Sequence, residues 1–414
     1  MNVKKTSINM PRRVAKAKSV MFEDGERSCV VVDLDGMPLY YPNLYLTTQV
    51  RNRSLSSSTI ANVAGDICVF LQILEERRID LIDRFSMGCL LESHEIESLR
   101  GDLQKRLLPD AAGKVPSCFA KGVYVSKEIV HARVNVAAKY IEWLAGRYLK
   151  APADPERLGG VLKAIRDIRP INKNRNTLNR QKGLDTVSAI AVKELLRPGS
   201  DFNIWEDEGI QARNHVMLTV LYELGIRRGE LLNLRCEDVD FRKNRIYIMR
   251  RADEKSDPRA YQPLVKTRDR ELVIKSSLAR DLLNYINNFR RKVPGARQHG
   301  FLFVTHKAGP TQGLRLTISG YKDVVSSIRE RISPLENFSG HDLRHYWNHR
   351  FSELSDEIGM SHAEEEQLRS QLMGWSFGSG TAATYMKRFV AQKAAEVSFK
   401  LQQKGLRPIK GDNK

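Results

Sequence analysis

A run of small residues, FGSGTAATYMKRF over 377–389, delivers one tyrosine, Tyr385, beside Lys387 and Arg388. A phenol titrates near pH ~10, so a tyrosine that attacks phosphorus needs help in losing its proton and a site that neutralises the phosphate. Phosphoryl transfer depends on positioning and charge stabilisation. The helpers to look for are therefore Arg, Lys and His. Three short stretches in the same half of the chain supply them.

The first is ELGIRRGELLNLR, 223–235. Arg227 follows a Gly225 break at the mouth of a helix, where backbone N–H groups favour an anion, and Glu230 can orient a guanidinium. A solvated basic turn at Arg227 and Arg228 is the plainer alternative. The second is HDLRHYWNHRF, 341–351. His341 and Arg344 lie three apart and face one ligand from one helical turn. A forked guanidinium with a His donor suits a phosphate. His341, His345 and His349 also suggest a metal site, but that stripe spans about 12 Å, too long for one ion. The third is VKTRDRELVI, 265–274, where Lys266 opens a turn between two strands. Lys255, Arg268 and Arg270 compete with it by composition, and an exposed hairpin lysine is the plain alternative.

These groups must be held by something. The 414 residues exceed one typical core, so two domains plus tails are expected. Lys and Arg outnumber Asp and Glu by 68 to 49, a net +19 that points to a polyanionic partner, foremost nucleic acid. No apolar run reaches a membrane span, and five scattered cysteines fit a reducing cytoplasm without a disulfide frame or zinc site. Residues 1–43 read as a basic arm with a short hairpin about Asp35-Gly36 in CVVVDLDGMPLYY. Residues 44–150 read as a helical domain, with Ser58 or Thr59 capping a first helix and a second over 125–149. Periodicity then fades over a basic linker, 151–183. Residues 184–414 read as mainly helical with strands at RIYIMRR and LVKTRDRELVI. The fold class is mainly α with a small β-sheet.

The order GIRRGELL, KT, HDLRH, a GW turn and then a tyrosine resembles the tyrosine recombinase (phage integrase) family. The resemblance covers 184–390, and SSSTIANVAGDICVFLQIL is similar to the family's helical core-binding domain. It implies that Arg227 and Arg344 clamp the scissile phosphate, Lys266 protonates the leaving 5′ oxygen and His341 assists proton transfer. Trp375 takes a place held by His in most members, and Tyr385 forms a 3′-phosphotyrosine bond without ATP, metal or cofactor. It further implies a C-shaped clamp on a double-stranded recombination site, and a homotetramer docked through a C-terminal helix bearing Val390, Ala394, Val397 and Leu401. Accessory DNA-bending proteins are compatible with that picture, and no membrane is involved. A topoisomerase-like or hairpin-resolving enzyme, and an idle DNA-binding regulator, are the alternatives. Two departures stand out. Trp375 to Tyr385 is ten residues, one more than the family pattern, and ELSDEIGMSHAEEEQ is an acidic insertion expected on the surface.

Overall fold

The computed structural model describes residues 14–53, 56–107, 119–149, 155–170, 183–259, 262–263, 265, 267–376, 378, 390 and 393–403. It divides into two compact units, one of residues 1–175 with 253–261, the other of 176–252 with 262–414.

The first unit opens with strands β1 (Lys16–Met21) and β2 (Arg27–Val32), paired antiparallel from Lys16↔Val32 to Met21↔Arg27. The ribbon expected about Asp35-Gly36 is a single bridge, Val32↔Pro38. The true hairpin lies one turn earlier, inside the stretch read as an arm. Asp24-Gly25 closes it: Gly25 has φ +94 and its N–H donates to the Phe22 carbonyl at 3.0 Å. The two Asp-Gly pairs carry the same turn signal, and Lys16–Met21 supplies the partner strand.

Helices follow: α1 (Tyr40–Tyr45), α2 (Ser57–Glu76), α3 (Leu81–Ser86) and α4 (Ser93–Leu103). The pair β3 (Lys105–Leu107) and β4 (Phe119–Tyr124) precedes α5 (Lys127–Tyr148) and α6 (Pro155–Asp167). α2 follows Ser56 rather than Ser58 or Thr59. By length and composition α2 could cross a bilayer, yet Ile60, Ala64, Ile67, Phe70 and Ile73 lie in the core of this unit. On α5, Val130, Val134, Ala137, Ile141 and Leu144 recur at helical spacing and meet them. The linker expected from 151 also needs correcting. Leu158, Val161, Leu162 and Ile165 step by three, one and three along α6, and Ile165 is fully buried. Residues 171–182 lie outside the described residues.

The second unit holds α7 (Thr186–Leu195), α8 (Glu208–Leu224), the single turn α9 (Arg228–Leu231) and strands β5 (Val239–Asp240), β6 (Arg245–Ile248) and β7 (Arg270–Val273). The strands form an antiparallel meander in the order β5-β6-β7. Four helices follow: α10 (Ser276–Asn284), α11 (Ile318–Arg331), α12 (Gly340–Glu357) and α13 (His362–Met373). A further helix covers 393–403. A chain that is mainly helical with small sheets is thus what the sequence led us to expect. Leu221, Leu231, Ile246, Leu272, Leu282 and Leu343 share one core in this unit.

Two local expectations change. The helix expected after Gly225 is only the four residues of α9. The acidic insertion is not wholly superficial: Glu365 is buried and ion-paired to buried Arg369, which also donates to the Asn348 carbonyl at 2.8 Å. That pair ties α13 to α12.

Candidate active site

The site is built around one buried carboxylate, Glu230. α8 ends at Gly225, whose φ of +60 turns the chain sharply. A Cβ there would lie 2.8 Å from the Trp347 ring, so only glycine fits both the backbone and the approach of α12. Two residues later Arg227 caps α9. Its N–H donates to Glu230 Oε2 at 2.9 Å, and its Nη1 lies 3.4 Å from Glu230 Oε1. The backbone N–H expected to await an anion is therefore occupied by Glu230. The Arg227 side chain keeps 27% exposure, so the guanidinium reaches solvent.

Arg344, on α12, is 1% exposed, and its Nη1 donates to the Gly225 carbonyl at 2.6 Å. Its guanidinium carbon lies 5.3 Å from the centre of the Trp375 ring, a cation–π distance. Trp375 is buried, follows the Gly374 turn that ends α13, and packs with Met373 and Trp347. In this geometry Trp375 seats an arginine. His341 sits in the first turn of α12, exposed, with its ring 4.7 Å edge-on from that of His345.

Two further residues complete the cluster: Arg270, offered by the sequence only as a rival of Lys266, and Thr267, which it did not single out. Arg270 Nη2 lies 2.8 Å from Glu230 Oε2, with both side chains almost wholly buried. Thr267 Oγ1 donates to Glu230 Oε1 at 2.7 Å, and Arg270 Nη1 donates to Thr267 Oγ1 at 3.0 Å. Arg270 Nε reaches the Leu372 carbonyl at 2.7 Å, joining β7 to α13. As a rival for the Lys266 role Arg270 is therefore spent in a structural pair. A signal existed: Arg270 and Leu272 both fall at inward positions of β7, and an arginine at an inward strand position needs a buried partner.

Burial pushes the Glu230 carboxyl up, but Arg270, then the Arg227 N–H and the charge of Arg344, outweigh it and hold the pKa below the ordinary value. The carboxylate stays ionised. Three guanidiniums around one carboxylate leave a surplus of two positive charges, one of them on the partly exposed Arg227. Such a site attracts a phosphate. The structure thus brings together Arg227, Glu230, Arg344 and Trp375, and sets His341 on the same helix as Arg344. Lys266 and Tyr385 lie outside the described residues. The neighbours of Lys266 are fixed, Val265 in the core and Thr267 on Glu230. On the helix that follows Tyr385, Val397 and Leu401 are exposed.

Residues 202–359 match the profile of the phage integrase family. Over 140 residues the chain is 26% identical to tyrosine recombinase XerC of Staphylococcus aureus strain USA300, a match covering 34% of this chain and 40% of the relative. The chain thus spans two fifths of the length of that relative. Among solved structures, the Tn1549 transposon integrase bound to transposon right end DNA is 13% identical at a TM-score of 0.49, covering 85% of this chain and 100% of that one. The XerA recombinase is 16% identical at a TM-score of 0.35, covering 85% and 97%.

Proposed function

We propose that this chain, whose residues 202–359 match the phage integrase family, is a site-specific DNA recombinase working through a 3′-phosphotyrosine intermediate. The observation that carries the reading is the pair of arginines, Arg227 and Arg344, gathered about the single buried carboxylate of Glu230.

In this reading the Tyr385 oxygen attacks phosphorus, the P–O3′-side fragment becomes esterified to the phenol, and the bond to O5′ breaks. Lys266 gives its proton to that leaving oxygen. His341, on the exposed face of the first turn of α12, assists the phenol in losing its proton. Arg227 and Arg344 bear on the non-bridging oxygens while charge builds on them. Glu230 orients Arg227, and Trp375 holds the plane of Arg344. The energy of the broken ester stays in the phosphotyrosine bond, so rejoining needs neither ATP nor metal. Duplex DNA is the substrate, and a homotetramer docked through the C-terminal helix is the working assembly.

The test is a nicked suicide duplex carrying a site selected by this chain from a random-sequence library. The wild-type chain should leave a protein–DNA adduct that survives denaturant, in chelator and without ATP. Tyr385→Phe should bind the same duplex and leave no adduct. An adduct with Tyr385→Phe, or a need for magnesium, would overturn the reading.

A further inference from the structure

Where the chain continues past α10, the second unit holds a buried positive charge that nothing cancels. Arg290 is 4% exposed. Its Nε donates to the Phe301 carbonyl at 2.8 Å, and its Nη2 to those of Ala296 at 2.9 Å and His299 at 2.7 Å. These bonds staple the turn at 296–301, but every acceptor is neutral. Among the described residues no carboxylate pairs with Arg290, and its Nη1 bonds to none of them. A neutral donor would serve the same carbonyls without the cost of desolvating a charge. The side chain lines a cavity of about 370 Å³, together with Cys236, Arg291, Arg297 and His299. No described Asp or Glu lines it; the nearest in sequence to Cys236, Glu237 and Asp238, face Arg235 and Arg251. Arg291 and Arg297 are exposed, and Arg297 Nε donates to the Arg291 carbonyl at 3.0 Å, which keeps the two side chains about one opening. At Cys236 burial raises the thiol pKa, while the charges of Arg290 and then Arg291 pull it back. Three guanidiniums about one opening repel each other unless an anion joins them, and forked donors suit a tetrahedral oxyanion that carries two charges.

We infer that the cavity walled by Arg290, Arg291, Arg297 and Cys236 is a second phosphate-binding site. None of Arg227, Glu230, Arg344 and Trp375 lines it. Its ligand is a phosphate group, borne by the backbone of a bound duplex or by free phosphate. Arg290 supplies a fixed charge and its remaining Nη1, and Arg291 and Arg297 close from the rim. The inference does not depend on the recombinase reading.

Cys236 serves as the reporter in the full chain. Its labelling by iodoacetamide, an uncharged reagent, is followed peptide by peptide in a mass spectrometer, with exposed Cys89 as the control. Bound phosphate covers the thiol and cancels the charges that ease its ionisation, so both effects slow the reaction. At about 10 mM inorganic phosphate, a site of roughly millimolar affinity should slow Cys236 about tenfold and leave Cys89 unchanged. Sodium chloride at matched ionic strength should slow neither. The double variant Arg291→Ala/Arg297→Ala should lose the phosphate effect at an unchanged melting temperature, because both side chains are exposed. No slowing by phosphate, equal slowing by chloride, or slowing that persists in the double variant overturns the inference. The selected duplex in phosphate-free buffer then separates the sources. Slowing of Cys236 that the double variant abolishes assigns the phosphate to the DNA backbone; no slowing assigns it to free phosphate. A chain that leaves no adduct on the nicked duplex, yet is protected at Cys236 by phosphate, loses the recombinase reading and keeps this site.

Discussion

Glu230 shows how much of a candidate site can depend on one buried carboxylate. It accepts from Arg227, Thr267 and Arg270 at once, and the charge of Arg344 bears on it. Removing one member of such a buried pair strands the other. Arg270→Met should therefore lower stability by about 3–5 kcal/mol in urea unfolding, and cleavage should fall with it. Adding Glu230→Gln to that variant should return part of the stability, since the stranded charge is then gone. A smaller loss in the single variant than in the double would contradict this account. At this scale the sequence was informative where chemistry is exposed to spacing. The cluster of Arg227, Glu230 and Arg344 was legible because each sits in a short local pattern. Arg270 and Thr267 were not, because their partner lies some forty residues earlier and only the fold supplies it. The change for Trp375 is similar: its place in GW was readable, but its contact with Arg344 depends on how α13 meets α12.

Among the elements, α12 carries most of the burden, and its entry is tight. A Cβ on Gly340 would fall 1.6 Å from the Tyr321 hydroxyl of α11. Gly340→Ala must displace either that ring or the first turn of α12, which bears His341 and Arg344. A stability loss of about 1–3 kcal/mol is expected, with slower cleavage. The Tyr321 hydroxyl is buried and hydrogen-bonds to no described residue, so Tyr321→Phe should cost little alone and recover part of both losses in the double variant. Thermal unfolding and adduct yield read the two effects together. Most helices announced themselves by periodicity, α2 and α5 most plainly. α6 was hidden because its apolar stripe is short and flanked by basic, polar sequence. The hairpin was misplaced because two Asp-Gly turns compete, and the choice depends on which neighbour is free to pair.

For the whole chain, the two units should answer acid in opposite directions. In the first, burial pushes the Asp66 carboxyl up to about 6, against the pull of Arg133. Its ordinary value is 3.8, so the folded form holds a proton that the unfolded chain has lost between these limits. Stability from this group is full below that lower limit and is lost as pH rises through about 6. In the second unit, burial and then Arg213 hold His306 down at about 4 from 6.5. There the unfolded chain binds the extra proton, so stability is present above 6.5 and is lost as pH falls toward 4. Chemical denaturation across this range should show Asp66→Asn flattening one slope and His306→Gln the other. Parallel slopes in both variants would refute the assignment. Binding to DNA, by contrast, should follow salt, falling steeply as counterions are restored to the phosphates. The net charge of +19 points to a polyanionic partner from composition alone, whereas the proton-linked groups were invisible until burial was known.

Gly25 has a bearing on how such a chain can change over generations. The absent methyl leaves room for the backbone at Asp253 and Lys255, so a leading hairpin of one lineage would collide with the 253–255 stretch of another. Shuffling of front ends between related genes should then succeed only when both stretches travel together, two hundred codons apart.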